Sequence, residues 1–134
     1  MEVCPNRANY TYTVQPVHWS LPLLTVRGGV LEFSGRTEVF RIEQARQVVH
    51  VDDFCNACGN CATFCVHNGE PFADKPRLFL DREDFHSESD NAYLIERGSR
   101  GWVMRARQGG AEARLEWRAG GSKARYEEDR KSVV

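Results

Sequence analysis

Residues 54–69 read FCNACGNCATFCVHNG, with four cysteines in the order Cys-x-x-Cys-x-x-Cys-x-x-x-Cys. What these thiols hold decides how the rest of the chain is read. A thiolate is a soft ligand that suits iron–sulfur clusters, zinc or copper. Two residues between successive cysteines let a short loop wrap one corner of a compact object. Cys55, Cys58 and Cys61 can then each point to a different iron of one cubane. Gly59 allows close backbone approach, and loop N–H groups aimed at sulfur stabilise the more negative, reduced cluster. Phe54, Phe64 and Val66 are candidates for an apolar shield around it.

Cys65 follows after three residues. In the bacterial two-cluster spacing the fourth cysteine serves the other cluster. The fourth ligand for Cys55, Cys58 and Cys61 must then come from elsewhere. Cys4 is the remaining cysteine, and it sits in VCPNRA. Cys-Pro is how the two-cluster motif ends, so Cys4 reads as the last cysteine of a second motif. It is preferred over Cys65 as the fourth ligand.

Other readings stay open at this point. A structural zinc site uses two Cys-x-x-Cys knuckles separated by a longer loop, a poorer match to three evenly spaced cysteines. Zinc would make the chain a structural module for protein–protein contact. A thioredoxin-like pair of Cys55 and Cys58 leaves Cys61 and Cys65 surplus. His50 and His67 flank the loop as possible ligands, and Cys4 could be a buried thiol with no ligand role.

Outward from the loop, the chain is rich in strand signals. YTYTVQPV at 10–17 is made of β-formers. LLTVRGGVLEF at 23–33 reads as two strands joined at Gly28-Gly29. TEVFRI at 37–42, QVVHV at 47–51 and RLFL at 77–80 are further strand candidates. AYLIE, WVMRAR and EARLEWR, separated by glycine-rich punctuation, alternate in polarity and predict an antiparallel meander. Phe79, Trp102, Leu115 and Trp117 are its expected core. The expected fold is α+β, a ferredoxin-type cluster-binding loop and short helix within an antiparallel β-rich domain. The expected divisions are an iron–sulfur region over 1–86, with a β-rich insertion between Cys4 and Cys55, a meander over 87–121 packed on it, and a charged, disordered tail over 122–134.

The 134 residues carry 28% charged and 41% hydrophobic side chains and a formal net charge of -1. That balance suits a globular protein and gives no electrostatic case for a nucleic-acid partner. No apolar run reaches bilayer length, and the N-terminus lacks a secretory pattern. Five cysteines, an odd number with four of them bunched, point to reduced thiols and a cytoplasmic location.

FCNACGNCATFC followed by HNGEPFADKPRLFLDREDF resembles the C-terminal iron–sulfur region of the selenate reductase family. VCPNRANYTYTV is similar to that region's upstream motif entered at its final cysteine, and QVVHVDDFC to the lead-in of the second. The resemblance covers about residues 2–86. The family consists of large flavoproteins similar to the glutamate synthase small subunit and to part of dihydropyrimidine dehydrogenase. It implies a 4Fe–4S cluster that relays single electrons within a flavin-linked oxidoreductase, with no catalytic site in this segment. FAD and NAD(P)H are expected only in an upstream part or in a flavoprotein partner, because no Gly-x-Gly-x-x-Gly occurs here. Two departures matter. Val66 stands where the motif has proline, and the upstream Cys-x-x-Cys-x-x-Cys is absent, so one complete cluster is possible and two are not.

Overall fold

The computed structural model describes residues 3–129. The chain divides into two compact units, one of Thr11–Gln47 and one of the residues up to Tyr10 together with those from Val48 onward.

The smaller unit is a long two-stranded ribbon. Strands β2 (Val17–Arg27) and β3 (Val30–Ile42) pair antiparallel, with Arg27 opposite Val30 and Val17 opposite Ile42. The turn is Gly28-Gly29, with φ of +56° and +81°. Two successive positive φ values match the twist of the flanking strands, and glycine adopts them without a Cβ clash. An irregularity lies between Pro22 and Leu24. Proline cannot donate to a ladder, and a ribbon edge or bulge is where a strand tolerates it. Trp19 stacks on Phe40 with ring centroids 5.8 Å apart. The ribbon leaves Leu24, Val26, Leu31 and Phe33 exposed.

The larger unit is built on a seven-stranded mixed sheet of order β1-β4-β5-β6-β7-β8-β9. Its strands are β1 (Asn9–Thr13), β4 (Arg46–Val51), β5 (Arg77–Phe79), β6 (Ala92–Gly98), β7 (Gly101–Gln108), β8 (Ala111–Trp117) and β9 (Ala124–Glu128). The chain leaves this unit within β1 and returns within β4. β4, β5 and β6 run parallel; β6 to β9 form an antiparallel meander. Parallel neighbours need a long crossover, and the crossover from β4 to β5 is residues 52–76. The cysteine loop is that crossover.

The core gathers Phe79, Phe85, Ala92 and Leu94. Phe85 is fully buried on α3 (Arg82–Ser87), whose N-terminus is capped by the Asp81 carboxylate accepting from the Glu83 and Asp84 N–H groups. Burying such a side chain stabilises the fold by about 2–3 kcal/mol, and the cap adds about 1 kcal/mol. The Arg77 guanidinium covers the Phe79 ring and Arg107 covers Phe85.

This architecture overturns the ferredoxin-type α+β expectation. Among the described residues the helical segments are Asp52–Phe54, α1 (Asn60–Thr63), α2 (Pro71–Asp74) and α3, and the chain is otherwise dominated by strands. The reason is local. Nothing after Cys61 sustains a helix: the segment leaves α1 at Phe64, and Pro76 stops α2 after one turn. The long runs of β-branched and aromatic residues before and after the loop build sheet instead. Two smaller corrections follow. Residues 124–128 form β9, where a disordered tail is expected; the tail's last residues, 130–134, lie outside the described ones. Phe79 is core, but Trp102 at the sheet surface is 40% exposed.

The cysteine loop as candidate metal centre

The Val51 N–H donates to the Ala8 carbonyl at 2.7 Å. One residue along, the Asn9 side chain meets His50. Partner numbers rise on one strand as they fall on the other, so β1 and β4 run antiparallel at this end. Cys4 stands four residues before Ala8, and Cys55 four residues after Val51. Both cysteines therefore leave the same end of one strand pair, although fifty residues separate them in sequence.

The lead-in is pinned by two aspartates. Asp52 Oδ1 accepts from Arg77 Nε at 2.9 Å, and Asp53 Oδ2 accepts from the Leu80 N–H at 2.9 Å. Each ties the end of β4 to β5, so the loop is anchored where it begins. It is anchored where it ends by Asn91, whose Nδ2 donates to the Ala73 and Lys75 carbonyls, both at 2.7 Å.

Within the loop the Cys55 N–H closes on the Asp52 carbonyl, and the Ala57 N–H points at Cys55 Sγ at 3.3 Å. Ala57 and Gly59 both have positive φ, +53° and +77°. Gly59 caps α1, its carbonyl accepting from the Ala62 and Thr63 N–H groups. Cys61 lies on α1, a one-turn helix that starts at Asn60, while Cys58 is exposed.

The turns after Cys4 and Cys65 are alike. In the first, Arg7 N–H donates to Cys4 O at 3.2 Å and Ala8 N–H to Cys4 Sγ at 3.3 Å. In the second, Asn68 N–H donates to Cys65 O at 3.2 Å and Gly69 N–H to Cys65 Sγ at 3.4 Å. Arg7 and Asn68 share a φ near +53°. The second turn forms with Val66 where the first has Pro5, so proline is not required for it.

All five thiols are free, and three accept a backbone N–H. As a donor set this suits a thiolate-bound cluster, whose sulfurs are tuned by such bonds. Among the described residues no three His, Cys, Asp or Glu side chains gather as a site for one metal ion. A cubane takes one thiolate at each iron corner, so its ligands stand wider apart than those around a single ion. Phe54, Phe64 and Val66 are 45%, 66% and 88% exposed.

His50, beside the Cys4 and Cys55 chain ends, is 1% exposed. Its Nδ1 lies 2.8 Å from Asn9 Oδ1, and its Nε2 is buried with no hydrogen-bond partner among the described residues. Asp52 Oδ1, at 3.9 Å from Nε2, is beyond hydrogen-bond reach. Burial lowers the His50 pKa; Asp52 opposes this and Arg77 adds to it. The ring is therefore neutral at pH 7. Sequence reading placed His50 near the loop but missed Asn9, Arg77 and Asn91. Asp52-Asp53 directly before the motif was the one available signal.

The chain is similar to a stretch of a known protein. It is 34% identical over 96 residues, 72% of its length, to the protein named "Putative oxidoreductase YgfK" of Escherichia coli strain K12, and equally to that of strain O157:H7. The match spans 7% of the length of these relatives. No protein-family profile matches the chain. No solved structure matches it. Among the described residues no helix is long and apolar enough to cross a membrane.

Proposed function

We propose that this chain is an electron-transfer segment of a flavin-linked oxidoreductase of the selenate reductase kind, working through one 4Fe–4S cluster held by Cys55, Cys58, Cys61 and Cys4. The observation that carries this reading is the Ala8–Val51 pairing. It returns Cys4 to the strand end from which the other three cysteines depart. The oxidoreductase name of a relative that is much longer than this chain supports it from another side. The cluster would supply one-electron storage at a set potential. The residues of the chain would hold it and tune it. Cys55 and Cys4 each take an N–H bond on sulfur, which lowers the energy of a negative charge there. Ala57 and Gly59, both with positive φ, bend the backbone between Cys55 and Cys61. Asp52 and Asp53 fix the loop to β5 so that its ligands need little reorganisation. FAD and NAD(P)H would belong to an upstream part or to the partner that donates or accepts the electron.

The test is iron, acid-labile sulfide and zinc content of anaerobically purified protein, with an EPR spectrum after dithionite. About four irons and four sulfides per chain are expected, with a paramagnetic signal on reduction. Cys4→Ser should lose the cluster and Cys65→Ser should keep it. The reverse pattern would move the fourth ligand to Cys65. Stoichiometric zinc without sulfide would replace the electron-transfer reading with a structural metal module.

A further inference from the structure

The far end of the meander holds a feature unrelated to the cysteines. Arg100 sits in the β6–β7 turn, Arg118 at the exit of β8, and Lys123 and Arg125 at the start of β9. Together with Glu116 and Ser122 they line a cavity of about 520 Å³. That is within the usual size of a small-molecule site, roughly 300–1,000 Å³. The arrangement is built into the backbone. A Cβ on Gly101 would lie 2.1 Å from the Trp117 carbonyl oxygen. Only glycine lets the β6–β7 turn close on the end of β8, and that closure brings Arg100 to the cavity that Arg118 lines.

The charges here are not balanced as they are along the strands. There, Arg105 meets Glu96 and Glu112, Arg107 meets Glu112, and Arg114 meets Glu116 and Glu127. At the cavity, Glu116 is already engaged by Arg114, and Arg125 is engaged by Glu127. Among the described residues the side chains of Arg100, Arg118 and Lys123 make no ion pair or hydrogen bond. The whole chain has a net charge of -1, so a cationic cavity is not a by-product of a basic protein. Three like charges around one space repel each other, and an anion among them reverses that cost.

We propose that this cavity binds the oligophosphate group of a small molecule. Several cations exceed what one carboxylate needs. The planar guanidinium fork and the lysine ammonium match phosphate oxygens, the first in paired bonds and the second as a point charge. The Ser122 hydroxyl can donate a further bond to a phosphate oxygen.

The experiment is calorimetric titration of the full chain with inorganic tripolyphosphate at fixed ionic strength, with citrate as a non-phosphate trianion. Saturable one-site binding is expected, preferring tripolyphosphate to citrate. Arg118→Gln with Lys123→Gln should weaken it about tenfold or more, with the far-UV CD spectrum unchanged. Arg100→Gln alone provides a second variant should that pair disturb folding. Arg27→Gln, on the ribbon, should bind as the unaltered chain does. ATP in place of tripolyphosphate separates the two sources of the group: tighter binding identifies a nucleotide, and equal binding identifies phosphates alone. Absence of saturation, equal binding of citrate, or undiminished binding by both cavity variants overturns the proposal.

Discussion

His50 Nδ1 and Asn9 Oδ1 lie 2.8 Å apart, and this single bond fixes the tautomer of a buried ring. The carbonyl oxygen of Asn9 accepts, so Nδ1 carries the proton and Nε2 is the bare nitrogen. Burial holds the His50 pKa below its ordinary value of 6.5, against the pull of Asp52 and with the help of Arg77. A histidine kept neutral in the fold binds a proton in the unfolded chain before it does in the native one. Its contribution is therefore complete above the unfolded value and is lost as the pH falls below about 6.5. Glu112 adds a second, more acidic limb. Burial alone would raise its pKa, but hydrogen bonds and charges from Arg105 and Arg107 together hold it below the ordinary value. That stability is lost as the pH falls through the native Glu112 value. Urea unfolding at a series of pH values should show stability rising from about pH 5 to pH 7. In His50→Phe that rise should flatten while the more acidic limb remains. An unchanged slope in the variant would assign the titration to another group.

Arg77 is the central tie between the cysteine loop and the sheet. Its Nε bonds Asp52 at 2.9 Å, its two terminal nitrogens bond Glu88 at 3.2 and 3.1 Å, and its guanidinium lies 5.1 Å from the centroid of the Phe79 ring. The group is only 20% exposed, so solvent does not readily replace these bonds. Arg77→Met should destabilise the fold by about 2 kcal/mol, the scale of a hydrogen bond to a charged group that leaves its partners unpaired. Arg77→Lys should recover only part of this, because a point charge cannot bond Asp52 and Glu88 as a fork does. Denaturant midpoints at constant m-value measure both. A loss in Arg77→Met under about 0.5 kcal/mol, the level of an ordinary surface change, would remove Arg77 from this role.

Much of the strand content was legible because it rests on short-range rules. Gly28-Gly29 between β-formers marks a hairpin turn, and the alternation of Trp102, Met104 and Ala106 with their neighbours marks a meander strand. What escaped was set by distance in sequence. The parallel pairing of β4 with β5 joins His50 to Arg77, and no periodicity announces that the cysteine loop is a crossover. Reading the loop as ferredoxin-like carried the fold of its relatives with it, whereas a site motif constrains only its own turn. The helix α3 was missed although Asp81 with Glu83 and Asp84 forms a readable cap, because the segment is short and its one apolar anchor is Phe85. Strand β9 was missed because its residues, ARYEE, are charged and exposed; it is specified by pairing with β8, where Arg114 faces Glu127.

Ala57 and Gly59 share positive φ, yet they should respond differently to exchange. Nothing lies within 4 Å of a Cβ built on Gly59, so the demand there is conformational and not one of space. Placing an L side chain in that region costs roughly 1–2 kcal/mol, partly offset by a less flexible unfolded chain. Gly59→Ala should cost about 1 kcal/mol locally. Ala57→Gly removes a strained side chain but frees the unfolded chain, so its net effect should be within about 0.5 kcal/mol of zero. Global unfolding is a poor gauge of a surface loop, and amide exchange is a direct one. The Ala62 and Thr63 N–H groups both donate to the Gly59 carbonyl at 3.0 Å. Their protection should fall about fivefold in Gly59→Ala, as about 1 kcal/mol dictates. The buried Val103 in the sheet should be unaffected, and Ala57→Gly should leave all three amides near their original rates. Equal protection of Ala62 and Thr63 before and after Gly59→Ala would show that the left-handed residue is not what starts this helix.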